Sequence, residues 1–285
     1  GDHRDLHYPL RRQRQMCIRD RTIEGNGARL ERAGAQHFRL LMARADLTIE
    51  DLTLANGYAL DPNDDYVRGG ALAITGNLTL NNVAVLDNTA GGRGGGVYAY
   101  GNEVRILNSQ FERNQSTLGS GGGLFVEDGD VLLQTVSFEA NQAEFYGGAA
   151  TLDDTSAFIF DSHFLVNAAV GGSGDPAGGA LALIGGEMTI NGSEFGGNQV
   201  AEGAGGAVFA AGFVTVTETI FDANGARQGG AIHAYDARLF MSRSKLVNNE
   251  VDTYGAALYL IMRDRTTSHI GNNLWAGNES AAFQT

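Results

Sequence analysis

The chain has 285 residues, of which 41 are glycine and only three proline, and its formal net charge is −13. Such an acidic surface repels nucleic acid and anionic lipid at long range, and no apolar run approaches the ~18 residues needed to span a bilayer. A single cysteine, Cys17, excludes an intrachain disulfide or a thiolate metal cluster.

The first 21 residues differ from the rest. They hold six arginines against three aspartates, so the remainder carries 14 basic and 30 acidic groups, and Lys245 is the one lysine. Gln15-Met16-Cys17-Ile18-Arg19-Asp20-Arg21 resembles the translation of a transposon-end sequencing adapter, and no apolar stretch there makes a signal peptide. Residues 1–21 are therefore expected to be a non-native or disordered leader. Residues 22–285 are expected to form one domain cut at both ends, because no linker composition interrupts them.

From Thr22 the chain reads as stacked laps. Thr22-Ile23-Glu24-Gly25-Asn26-Gly27 predicts an entry lap, and 47–54 alternate apolar and polar residues as a strand does, with Gly57 at the end of that lap. From Gly69 onward a small glycine-rich element recurs eight times. Its first glycines are Gly69, Gly94, Gly121, Gly147, Gly178, Gly205, Gly229 and Gly255, at spacings of 25, 27, 26, 31, 27, 24 and 26. An asparagine keeps step at Asn88, Asn114, Asn141, Asn167, Asn198, Asn224, Asn249 and Asn278. Three residues before it stands an apolar side chain: Val85, Phe111, Phe138, Phe164, Phe195, Phe221, Leu246 and Trp275. A period in this range means repeated supersecondary units.

Each lap holds two alternating segments. The first follows the glycines, as in Val97/Ala99, Leu124/Val126 and Leu181/Leu183. The second lies ten and eight residues before the asparagine, as in Val104/Ile106, Val131/Leu133 and Met188/Ile190. Step-two alternation places each pair on one side of a strand and the residue between them on the other. A third strand ending at the Phe-like position completes the lap.

The predicted fold is all-β: a right-handed parallel β-helix of nine to ten rungs of roughly 26 residues, with three short strands per rung. Phenylalanines would stack inside, and asparagines would stack at a turn that uses their tolerance of left-handed backbone. No Leu-x-x-Leu-x-Leu run supports a leucine-rich horseshoe and no six-residue period supports a left-handed helix.

The alternation of Gly-Gly-Ala-Ile-like elements, literal at Gly229-Gly230-Ala231-Ile232, with Phe-x-x-Asn, literal at Phe111–Asn114, Phe138–Asn141, Phe164–Asn167, Phe195–Asn198 and Phe221–Asn224, resembles that of the chlamydial polymorphic outer-membrane proteins and other bacterial surface β-helix proteins. The resemblance covers Gly69 to Asn278. It implies a passenger displayed at the cell surface or secreted, often adhesive and sometimes carried by a membrane β-barrel. In that family the repeats are scaffold, so it transfers no catalytic residue.

Candidate chemistry lies on the outward side of strand one, where the column reads Ala73, Tyr98, Phe125, Thr151, Ala182, Phe209, His233 and Tyr259. Exposed rings in register could stack on sugar faces or receive a partner, so Tyr98, Phe125, Phe209, His233 and Tyr259 are the candidate ligand-binding residues. The turn after strand one gathers acids on neighbouring rungs. Asp128, Asp130, Asp153 and Asp154 could converge on calcium, which takes six to eight oxygens, although no cofactor is required.

Two longer loops, 57–68 and 168–177, leave one corner four rungs, ~19 Å, apart. Fragments similar to a polygalacturonase set, Asp153-Asp154 and Arg243-Ser244-Lys245, fall three rungs apart, further than the ~10 Å that acid and base carboxylates span around one bond. No basic side chain is evident near Glu127 to Asp154. The residues together describe an extracellular or outer-membrane surface protein with an adhesion, glycan-binding or display role, whose partner is a polysaccharide or a cell surface. The alternatives are a polysaccharide lyase or glycoside hydrolase of the pectin-lyase-like type and a purely structural stalk.

Overall fold

The computed structural model describes residues 20–60, 67–101, 103–171, 174–262 and 267–280. Its strands stack in about ten turns of roughly 26 residues, with every strand pair parallel and no helix among the described residues. The molecule is the expected parallel β-solenoid.

The repeat columns become vertical files. Leu124 pairs with Val97 on one side and Ala150 on the other, Val131 with Val104 and Ala157, and Phe138 with Phe111 and Phe164. Register follows from the apolar pattern, since a one-residue slip would turn every buried side chain outward. In four rungs the first and second segments run on as one strand, Leu124–Gln134, Ala150–Phe160, Leu181–Asn191 and Val208–Thr217. The third strand is centred on the Phe-like residue, as in Gln110–Glu112. A fourth short strand follows the asparagine position, two residues long in seven rungs, as in Gln115–Ser116, and longer at Gly225–Gln228 and Glu250–Tyr254; these nine strands make a sheet of their own. Two residues alternate too little to be read as a strand from sequence alone.

At the amino-terminal end the chain joins the sheet at Asp20, two residues before the expected Thr22, and Asp20–Glu31 pairs with Asp46–Ala55 across an irregularity between Glu24 and Ala28. Residues 1–19 of the expected leader lie outside the described residues. Leu47 and Ile49 fall in the second-strand column opposite Leu78 and Leu80.

Inside, Phe111, Phe138, Phe164, Phe195 and Phe221 are fully buried and form one continuous stack. Successive centroids are 4.7, 5.1, 4.6 and 4.9 Å apart and the planes lie within 17° of each other. The rung spacing sets this separation, near the short end of the range aromatic pairs prefer.

Beside the rings runs the asparagine ladder. The Asn114 backbone N–H and side-chain Nδ2 both donate to Asn141 Oδ1, at 3.0 and 2.9 Å, while Asn114 Nδ2 also donates to the Val85 carbonyl at 2.8 Å. The pattern repeats from Asn88 to Asn278. On the rung before Asn88 its Oδ1 accepts the Gly57 N–H at 2.8 Å, so Gly57 holds the asparagine place with backbone alone.

One expectation is corrected here. The ladder asparagines do not take the left-handed backbone; the residue before each one does, among them Asp87, Arg113, Ala140, Val166, Ala223 and Asn248. The asparagine amide is needed as a hydrogen-bonding rung, which holds its own backbone extended. A second ladder escaped the sequence reading: five residues before five of the eight asparagines stand Ser109, Ser162, Ser193, Thr219 and Ser244, all buried. The four serine hydroxyls accept a backbone N–H from the previous rung, as Ser109 Oγ does from Val83 at 3.0 Å. They donate two residues back, as Ser109 Oγ does to the Leu107 carbonyl at 2.7 Å.

The first glycine of all eight elements has φ between +60° and +71°, the left-handed region glycine enters freely. The second glycine answers a different need. A Cβ on Gly148 would lie 2.2 Å from the Gly179 oxygen and 2.4 Å from the Ala168 oxygen, so two neighbouring laps can approach only if this position has no side chain.

Candidate functional site

The strand-one face is where the structure departs most from the sequence reading. Tyr98, Phe125 and His233 are not flat exposed rings; they retain 5%, 2% and 4% of their accessible surface, and Phe209 and Tyr259 are half-buried. Side chains that stand just before the first glycine, Arg68, Arg93 and Tyr146, lie over the column.

What covers it is charged. Arg68 and Arg93 each stand immediately before the first glycine of a rung and reach across the aromatic of the following rung. The Arg68 guanidinium lies 4.6 Å from the Tyr98 centroid and that of Arg93 lies 4.7 Å from Phe125, distances at which a cation is attracted to a ring face. Tyr98 and Phe125 are themselves stacked at 6.0 Å. Arg39 Nε, donating to the carbonyls of Arg68 at 2.9 Å and Gly69 at 2.8 Å, fixes the backbone that carries Arg68.

These groups converge on one carboxylate. The Tyr98 hydroxyl donates to Glu127 Oε2 at 2.6 Å and Arg93 Nη1 donates to the same oxygen at 2.9 Å, while Arg68 Nη1 donates to the Tyr98 hydroxyl at 2.5 Å and lies 3.7 Å from Glu127. Burial pushes the Glu127 carboxyl up, but the Tyr98 hydroxyl, Arg93 and Arg68 together outweigh it and hold its pKa below the usual value. Burial first, and then the bond to Glu127, push the Tyr98 phenol up. The expectation that no basic side chain stands near Glu127 to Asp154 is thus overturned, because both arginines arrive from earlier rungs.

Asp153 is the register partner of Glu127 on the next rung. Its pKa is raised, chiefly by burial, with Asp154, Glu127 and Asp128 adding repulsion and Arg93 opposing it. Asp128 and Asp154 occupy the left-handed turn position, at φ +60° and +51°, a conformation aspartate tolerates. Asp130 runs back into strand two opposite Glu103 and Ser156. Among the described residues no group of three or more His, Cys, Asp or Glu gathers to hold a metal ion, so Asp128, Asp130, Asp153 and Asp154 are not drawn into one coordination set. Arg243, of the polygalacturonase-like fragment, pairs with Glu218 at 2.8 Å, away from this face.

The gap left in the column by Thr151 and Ala182 is filled from outside. Tyr146, again the residue before a first glycine, stacks on Phe209 at 6.2 Å, and its carbonyl accepts the Thr151 hydroxyl at 2.7 Å. Two clefts meet at this ring. One, of about 400 Å³, is lined by Arg68, Arg93, Phe125, Tyr146 and Asp153. The other, of about 300 Å³, is lined by Tyr146, Phe209, His233, Tyr235 and Arg227. The position before the first glycine reads Arg68, Arg93, Ser120, Tyr146, Ala177, Ala204, Gln228 and Tyr254, so a column in the sequence did signal these residues. Among the described residues, exposed aromatics on the outer side of strand two include Phe158, Phe213 and Phe240, and at the end of the strand-one column exposed Tyr254 stacks on Tyr259 at 6.1 Å. Of the two longer loops, residues 61–66 and 172–173 lie outside the described residues.

His233 packs edge-on against Phe209, Tyr235 and Tyr259, with centroids 5.7, 6.3 and 5.0 Å away. Burial lowers its pKa from 6.5 to about 4. The unfolded chain therefore binds a proton below pH 6.5 that the folded chain refuses until about pH 4. The resulting stability is complete above pH 6.5 and lost as pH falls toward 4, by at most about 3 kcal/mol. Urea unfolding at pH 7 and pH 4 is expected to show a smaller loss for His233→Phe than for the parent; equal losses would remove the assignment.

The fold and face define a parallel β-solenoid whose strand-one face carries two clefts, each lined in part by Tyr146 and by arginine. No family model, no curated protein and no solved structure matches the chain. Among the described residues no helix is long and apolar enough to cross a membrane.

Proposed function

We propose that this chain is a scaffold of an extracellular or surface-displayed protein that binds an extended glycan along the strand-one face. The observation that carries this is the meeting of two clefts at Tyr146. Their linings combine aromatic rings with charged groups, the combination that stacks on sugar rings while hydrogen bonding their hydroxyl and carboxylate substituents. Arg68 and Arg93 would take acidic sugar residues, since a guanidinium offers more donors than Glu127 engages.

Binding to immobilised polygalacturonate and to a panel of neutral polysaccharides tests the proposal. Arg93→Ala is expected to weaken the acidic interaction about tenfold, the loss of roughly one charge-assisted hydrogen bond. No binding by the parent protein to any glycan would leave a structural stalk as the better account.

Cleavage of the bound glycan is a second function favoured by a specific observation: Glu127 and Asp153, register partners on adjacent rungs, have pKa values pushed in opposite directions. That is the pattern of a paired carboxylate and carboxylic acid. Release of reducing or unsaturated ends, abolished by Asp153→Asn, would establish it. Intact glycan after prolonged incubation would leave binding alone.

A further inference from the structure

A separate cleft of about 510 Å³ opens on another side of the solenoid, at the corner between strands two and three. The corner residues of successive laps, Asp51, Asn82, Asn108 and Thr135, have φ between +49° and +55°, and the trough lies at the bend they make. It crosses the laps instead of following one of them. From the lap of Asp51 to that of His163 is four lap spacings, ~19 Å.

Its floor is apolar, with Leu52, Val83 and Val136 buried at the base. Its walls carry Asn82, Asn108, Gln110 and Thr135, all of them exposed. Asn82 Nδ2 donates to Asp51 Oδ1 at 2.6 Å, Asn108 Nδ2 donates to Asn81 Oδ1 at 3.2 Å, and Gln110 Nε2 meets Glu112 Oε2 at 3.5 Å. An amide has two N–H donors and an acceptor oxygen. These bonds orient the amides and leave a donor and the oxygen of each open to a ligand.

The scarcity of charge is confined to this stretch. Further along the same two columns stand Asp161, Glu218 and Arg243 on the corner side and Glu194 and Lys245 on the other, whereas the cleft itself has only Asp51 near one end and His163 at the other. Such a lining neither attracts nor repels an ion strongly. The strands run across the trough and spend their N–H and C=O groups on the laps above and below, so an extended peptide lying in it has no sheet edge to join. What remains for recognition is amide and hydroxyl side chains over an apolar floor, which suits sugar hydroxyls and C–H faces.

We infer that this trough is a second glycan site, which takes an unbranched neutral oligosaccharide lying across the laps and held by Asn82, Asn108 and Gln110. The inference stands apart from the strand-one proposal, which concerns arginines on another face, and goes beyond it. With both sites filled, one rigid solenoid holds a neutral and an acidic chain together and cross-links them, gaining avidity from the pair.

Titration calorimetry on the full chain tests it, with cellohexaose, xylohexaose, mannohexaose and laminarihexaose as neutral probes and hexagalacturonate as the acidic one. The parent is expected to bind at least one neutral hexamer. Gln110→Ala combined with Asn108→Gly, which keeps the left-handed corner, should weaken that binding about tenfold or more and leave hexagalacturonate unchanged. Arg93→Ala should do the reverse. If no neutral hexamer binds the parent, or the double variant binds it equally well, or Arg93→Ala loses it too, the trough is overturned, while hexagalacturonate binding that depends on Arg93 leaves the strand-one proposal standing. Because binding is first read on the parent, the inference stays falsifiable even if the double variant fails to fold.

Discussion

Replacing Asn141 with leucine is expected to destabilise the protein by roughly 4–6 kcal/mol, although the two side chains are of similar size. Asn141 Oδ1 accepts both the backbone N–H and the side-chain amide of Asn114, and Asn141 Nδ2 donates to the Phe111 carbonyl at 2.9 Å. Leucine removes the partner of the Asn114 backbone N–H, of one of the two Asn114 amide hydrogens (the other stays on the Val85 carbonyl) and of the Phe111 carbonyl, each loss costing about 1–3 kcal/mol. The change also interrupts the ladder between its neighbours, and in a stacked protein stability depends on nearest-neighbour interfaces. Urea titration followed by circular dichroism measures the loss; a midpoint within experimental error of the parent would show that the ladder contributes nothing.

Truncating Phe164 to alanine should cost about 3–5 kcal/mol, the range for a fully buried phenyl ring. The ring is held between Phe138 at 5.1 Å and Phe195 at 4.6 Å. Backbone pairing fixes the rungs above and below it, so the walls cannot collapse into the space and the value should lie at the upper end. Phe164→Leu, which refills most of the volume, should lose less than half as much. Equal losses for the two variants would mean that the stack tolerates repacking. Either of these core changes outweighs the expected effect of any substitution on the strand-one face, where Arg93→Ala removes half-exposed contacts worth little to stability.

These two predictions also mark which parts of the molecule were legible as sequence. Phe164 and Asn167 were readable because the same residue types recur at the same offsets in lap after lap. The glycine pairs were readable for the same reason: Gly147 combines a positive φ with close approach to the Ala150 carbonyl of its own lap, while Gly148 admits the backbone of neighbouring laps. The hydroxyl ladder through Ser109, Ser162 and Ser244 obeys the same rule of fixed offset. It went unread because serine is usually taken for a loop residue, and the alternating valines at Val83 and Val136 break the column.

The candidate site was only partly legible. Tyr98, Phe125, Phe209, His233 and Tyr259 were correctly placed in one file by period-two alternation, yet their exposure was misjudged. Alternation tells which side of a sheet a residue faces and says nothing of what is laid over that side. Glu127 and Asp153 were legible as acids on the same turn of adjacent rungs, but the arginines that polarise the pair, Arg93 and Arg68, stand 34 and 59 residues upstream of Glu127 and become its neighbours only after the laps are stacked.

The amino-acid sequence alone determined the winding of this protein: the lap length, the buried files, and the ladders that bind one rung to the next. Those features are local chemistry repeated at constant spacing, and parallel stacking converts constant spacing directly into contact. Only the tertiary structure decided the character of the strand-one face. Arg68, Arg93 and Tyr146 lie on covering segments of variable length, and each reaches over a rung other than its own. Which ring each one meets, and so whether His233 is wet or dry and whether Glu127 is paired, depends on contacts across laps that no single repeat encodes.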